Sequence, residues 1–139
     1  MISMAIKFPS DEWIKDLCVR LNASEAYAQA AAGWEGDCIF VALPDADYAD
    51  TAYLYINLQH GKAFDAQLLG SLDEKNALFI ITGPFNIWRR VLEGRLDPIQ
   101  GMFSGKLKLK GSMAQIQRTP KATNELVKVA GQIDTDFGS

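Results

Sequence analysis

The side chains able to do covalent or acid–base chemistry are few and scattered along the 139 residues. His60, the sole histidine, sits in Gln59-His60-Gly61, where a solvated turn residue is expected and not a general base. One histidine excludes a multi-histidine metal site. Asp45, Asp47 and Asp50 invite a calcium reading, but the glycine and glutamate that an EF-hand needs at positions six and twelve are Asp50 and Ile56 here. A solvated acidic loop is expected. Cys18 and Cys38 lie in apolar runs without a CxxC partner, so buried free thiols are expected, not a disulfide or a zinc site. No GxSxG, P-loop or GxGxxG pattern occurs, and no serine or carboxylate is placed beside a base, as an acyl thioesterase would require. The expectation is a protein that is not an enzyme and holds no metal or cofactor. What the chain has in quantity is apolar surface: hydrophobic residues make up 48 % of it.

The elements that position these residues follow from periodicity. The length fits a single domain over residues 1–139 with one core. Ser10 caps a helix whose Ile14, Leu17, Cys18 and Leu21 share one face. Asn22-Ala-Ser-Glu25 has capping-box spacing and opens a second, alanine-rich helix toward Gly33. The period then changes to two. Segments 35–43, 51–59 and 62–69, and the apolar run Ala77–Thr82, read as strands separated by turns. Connections this short imply antiparallel pairing. Segments 51–59 and 77–82 are apolar on both sides of the pleat, so both faces need cover: by the N-terminal helices, by a ligand, or by a second copy in a homodimer. Helical patterns return at 85–93, from Asp97-Pro98, from Ser112 and from Thr119-Pro120. Between them Gly105–Gly111 alternates, with Leu107 and Leu109 inward and Lys106, Lys108 and Lys110 outward. The tail 134–139 is expected to fray.

Charge is uneven. Up to Gly83 there are 5 basic and 12 acidic residues; beyond it, 9 basic and 5 acidic. The overall balance of −3 excludes the profile of a nucleic-acid binder. The lysine row has two readings: a solvated strand face, or, with Arg118 and Lys121, a contact surface for anionic lipid headgroups. No apolar run approaches the roughly 18 residues of a membrane span. The start, MISMAIKFPSDEW, lacks the basic opening and long apolar stretch of a signal peptide, so a reducing cytoplasm is the expected location.

The stretch GPFNIWRRVLEGRLDPIQGMFSGKLKLKGSMAQIQRTPKATNELVKVA, from Gly83 to Ala130, resembles the sterol carrier protein 2 family. The likeness lies in the helix Trp88–Gly94, the acid-started short helix Asp97–Phe103, the glycine-bounded Ser104–Gly111, and Met113–Ile116. It implies an α+β fold: a five-stranded, mostly antiparallel sheet with helices on one face. It also implies an apolar tunnel for fatty acyl chains, acyl thioesters, sterols or similar lipids, and no metal or redox cofactor. The ending Asp136-Phe-Gly-Ser is not a peroxisomal tripeptide, which makes a stand-alone prokaryotic-type member the expectation.

Side chains suited to wall such a tunnel are Phe79 and Ile81 on one strand, Phe85, Trp88 and Leu92 on the next helix, and Ile99, Met102 and Phe103 on the short one. Leu107, Leu109, Met113 and Ile116 complete the set. Each buried CH₂ contributes ~0.8 kcal/mol, so a chain of about a dozen carbons supplies several kcal/mol without a polar contact. Gly101, Gly105 and Gly111 flank the short helix and strand and are candidate hinges. The expected function is non-catalytic binding and transfer of a long-chain lipid or acyl ligand. The alternative is an accessory module that presents an apolar precursor to a lipid or quinone biosynthetic enzyme.

Overall fold

A computed structural model describes residues 5–138. The chain runs β1 (Ile6–Lys7), α1 (Asp11–Asn22), α2 (Glu25–Ala30), β2 (Cys38–Leu43), β3 (Ala52–Gln59), β4 (Lys62–Leu69), β5 (Phe79–Pro84), α3 (Phe85–Leu92), α4 (Pro98–Phe103), β6 (Lys108–Lys110), α5 (Met113–Arg118), α6 (Pro120–Ala130) and β7 (Thr135–Asp136). The main sheet has the order β4-β3-β2-β5-β6, antiparallel except for the central β2–β5 pair. The expected five-stranded, mostly antiparallel α+β fold is therefore present.

Local chemistry sets the element ends. Ser10 accepts the Trp13 N–H at 3.0 Å and starts α1, with Asp11 and Glu12 at the positive end of its dipole. The cap of α2 is Ser24, which accepts the Tyr27 N–H at 3.1 Å. Asn22, at the capping-box position expected from the spacing, serves another purpose. Its side chain donates to the Ala63 carbonyl at 2.7 Å and accepts the Ala63 N–H at 2.8 Å, standing in for a further strand beside β4. His60 and Gly61 both have positive φ, the backbone of a tight two-residue hairpin, and join β3 to β4.

Alternation divides the sheet into two apolar faces. Cys38, Ala42, Leu54, Ile56, Leu58, Phe79 and Ile81 join the main core, with Phe40 packed against it. Helices α1, α3 and α6 complete that layer: α1 lies against β3 and β4, α3 against β2, and α6 against α1, α2 and α3. The opposite face buries Ile39, Val41, Tyr55 and Leu69 as a separate cluster. None of the three expected covers is needed to bury it. The connection between β4 and β5 folds back over it, with Ala77 packed against the cluster and Lys75 Nζ 5.1 Å from the Tyr55 ring centroid. Asp37 fastens this arrangement by accepting the Tyr55 hydroxyl and the Leu78 N–H, each at 2.8 Å.

The tail does not fray as expected. Thr135–Asp136 pairs in parallel with Ile6–Lys7, through Ile6 N–H to Asp134 O at 2.8 Å and Phe8 N–H to Asp136 O at 2.9 Å. Phe137 closes over Phe8 and Phe85, with ring centroids 5.9 and 6.3 Å away, and carries the Arg89 guanidinium at 4.9 Å. A short polar strand with an aromatic anchor gains enough contact to stay ordered. Ser139 lies outside the described residues.

Candidate functional site

Between the sheet and the helices lies a cavity of about 100 Å³. Cys38, Phe40 and Ala42 of β2, Leu54 and Leu58 of β3, and Phe79 and Ile81 of β5 form its floor. Trp13 and Leu17 of α1, Tyr27 of α2, Trp88, Val91 and Leu92 of α3, and Ala122, Thr123, Leu126, Val127 and Ala130 of α6 form the sides. Phe8, Trp34, Pro98, Met102, Leu107 and Ile116 close it. Among the described residues, none that lines the cavity is charged.

All three tryptophans of the chain line this space, and each has its indole N–H tied into protein. Trp13 donates to Thr135 Oγ1 at 3.1 Å, Trp34 to the Gly36 carbonyl at 3.0 Å, and Trp88 to the Val41 carbonyl at 2.9 Å. With the polar edges satisfied, the rings can offer hydrocarbon faces. Phe40 meets Trp88 edge-on at 5.6 Å, and Trp34 meets Phe79 at 4.9 Å. Cys38 belongs to the same wall. Burial first, then the neighbouring Asp37 charge, pushes its thiol up to about 12, so it behaves as a small apolar group.

The residues expected to wall a tunnel divide. Phe79, Ile81, Trp88, Leu92, Met102, Leu107 and Ile116 surround the cavity. Phe85 does not, because as the first residue of α3 it packs into an aromatic cluster with Tyr48, Phe8 and Phe137. Ile99, Leu109 and Met113 pack on the core from outside the cavity. Phe103, at the end of the six-residue α4, turns outward and is 59 % exposed. Leu107 reaches the cavity through a notch: a Cβ on Gly83 would lie 2.6 Å from its side chain, and one on Gly101 3.2 Å. Gly101 thus serves close packing inside α4, whereas Gly105 and Gly111 hold positive φ.

Sequence reasoning missed the N-terminal half of the wall, although its signals were available. Trp13 and Leu17 are an i, i+4 pair, and Cys38, Phe40 and Ala42 share one side of the β2 pleat.

The chemistry-bearing residues lie elsewhere. His60 does not line the cavity; its Nδ1 is 3.0 Å from the Ala32 carbonyl and its Nε2 3.1 Å from Glu35 Oε1. The acidic loop is not merely solvated. Asp45 accepts the Asn86 N–H and Asp47 the Asn86 side-chain amide, each at 2.8 Å. Asp45 thereby satisfies a backbone N–H in the first turn of α3, the helix that carries Trp88, and Asp47 holds the side chain of the same residue. Cys18 and Cys38 are free. Among the described residues no group of three potential metal ligands occurs, and no helix is long and apolar enough to cross a membrane. Lys106, Lys108 and Lys110 are exposed, the last two on the edge strand β6.

A crystal structure of sterol carrier protein 2 is 35 % identical, with a TM-score of 0.81, covering 89 % of this chain and 97 % of that one. A conserved hypothetical protein of Thermus thermophilus, solved in solution, is 33 % identical with a TM-score of 0.85, covering 96 % of this chain and 94 % of that one. The ubiquinone-synthesis protein UbiJ-SCP2 shares the fold at 12 % identity and a TM-score of 0.52, over 85 % of this chain and 84 % of that one. No curated protein matches the chain. The profile of the SCP-2 sterol transfer family matches residues 14–124, and with two-sided coverage of a sterol carrier protein the chain belongs to that family.

Proposed function

We propose that the protein carries one long-chain apolar ligand, a fatty acid, acyl thioester or other lipid, in this cavity without catalysing a reaction. The observation that carries the reading is the uncharged wall with three indoles whose N–H groups are already bonded. Such a wall gains from displacing water and offers little to a polar substrate. The space of about 100 Å³ is small beside the roughly 300–1,000 Å³ of ligand pockets. Loading therefore dilates it, and α4 and α6, which supply the half-buried Met102, Leu126 and Val127, are the elements that yield.

Exposed Phe103, near in sequence to the exposed Lys106, Lys108 and Lys110, supplies an apolar tip and the lysines positive charge for contact with an anionic bilayer. Presentation of a precursor to a partner enzyme is the second reading. It would show as a stable complex with that enzyme and weak affinity for free lipid.

Methyl 9,10-dibromostearate, a neutral chain carrying contact quenchers, tests the first reading. Saturable quenching of tryptophan emission at about one lipid per chain is expected. Emission that is unmoved at saturating lipid overturns it.

A further inference from the structure

The cavity wall carries one deeply buried hydroxyl that the protein leaves unused. Tyr27 is 1 % exposed and lines the cavity. Its backbone N–H is held by the Ser24 cap, but its phenol makes no hydrogen bond to any described residue. The side-chain oxygen is not sealed in protein either, since no fully enclosed side-chain oxygen or nitrogen among the described residues lacks a partner. The hydroxyl therefore keeps a sliver of accessible surface, on a residue that lines the cavity. This sets Tyr27 apart from Trp13, Trp34 and Trp88, which line the same space with their donors already bonded. A buried donor without a partner is costly, and a ligand that supplies one recovers that cost.

We propose that the Tyr27 hydroxyl is the polar anchor of the cavity and selects an uncharged ligand whose chain bears one hydrogen-bonding oxygen, as in a long-chain alcohol, ester or ketone. The inference rests on the carrier reading and narrows its ligand class. Among the described residues no arginine, lysine or histidine lines the cavity to balance a carboxylate, so an ionised end group stays outside while a neutral oxygen enters. Burial pushes the Tyr27 phenol well above its ordinary range, which keeps it a neutral donor. Among the described residues, Thr123 of α6, a helix packed against α2, supplies the only other hydroxyl in the lining. It is half-buried, so Tyr27 is the group with most to gain.

The test compares 1-dodecanol with 1-chlorododecane as competitors of methyl 9,10-dibromostearate, in the wild type and in Y27F and T123V. The wild type is expected to prefer the alcohol. Y27F removes one oxygen and keeps the ring, and it should reduce that preference about tenfold, the effect of one buried hydrogen bond. Its unliganded thermal midpoint should be unchanged or higher, because no protein contact is lost. A preference that survives Y27F, or that T123V abolishes instead, overturns the assignment. So does a Y27F midpoint several degrees lower, which would show that the phenol has a protein partner. If neither competitor displaces the brominated ester and the ester does not quench, the carrier reading itself fails.

Discussion

The cavity has two unlike walls. On the sheet side Leu54, Leu58, Cys38 and Phe79 are buried in strands with neighbours on both sides, and Trp13, Leu17, Tyr27 and Trp34 continue that wall with equally little exposure. On the helical side Trp88, Val91, Ala122 and Ala130 are buried as well, but Leu92, Met102, Leu126 and Val127 form a half-buried rim, and α4 spans only six residues. The sheet wall is held by main-chain ladders, and the Trp88 indole ties α3 to it, whereas the half-buried rim is held chiefly by side-chain contact. Regions with few buried contacts open at lower free energy than the core. Opening is therefore expected at the rim, with the deep wall keeping its shape.

The strongest way to break this comparison is truncation on each side. Leu54→Ala should cost about 3 kcal/mol and Leu126→Ala about 1 kcal/mol in urea unfolding, because only the first removes a wholly enclosed side chain. Equal costs would erase the distinction. Reversing Lys106, Lys108 and Lys110 to Glu tests whether this edge of the sheet meets lipid. At ~1 kcal/mol per lysine, co-sedimentation with phosphatidylserine vesicles should weaken on the order of a hundredfold. Unaltered binding removes the membrane contact from the proposal. Asp45→Ala should cost about 1 kcal/mol by uncapping α3, seen as a lower thermal midpoint; an unchanged midpoint means the loop does not hold that helix.

The smallest effect is kinetic. Burial pushes the Cys38 thiol up, so little of it is thiolate near pH 8, and its iodoacetamide labelling should lag well behind that of the less buried Cys18. Raising the pH increases the thiolate and should speed Cys38 modification. Fast labelling of Cys38 at neutral pH would mean that the deep wall opens too.

Much of this was legible from spacing. Trp88 and Leu92 recur on one helical face, and Leu107 alternates with the lysines, so both the apolar run and its charged reverse follow from period alone. Periodicity fails where an element is too short to have a majority face. In α4, Met102 and Phe103 are adjacent, about 100° apart around the axis, and only packing decides which one turns inward. It fails also where partners are remote. Thr135 and Asp136 carry no local strand signal, and their order comes from Ile6 and Lys7 at the other end of the chain. Tyr27 shows a third limit. Its ring reads as core on an alanine-rich helix, but whether its hydroxyl has a partner is a property of the assembled cavity.

The β1–β7 pair has a mechanical consequence. The two strands run parallel, so tension applied at the two ends of the chain pulls them along their length in opposite directions. The Ile6–Asp134 and Phe8–Asp136 bonds are then loaded together in shear, not peeled one at a time. Behind them Trp13 is bonded to Thr135, so the first element to bear the load is also joined to the cavity wall. An unfolding motor gripping either end meets its resistance at the outset, and the yielding of this clasp would release the lining residues Phe8 and Trp13 together.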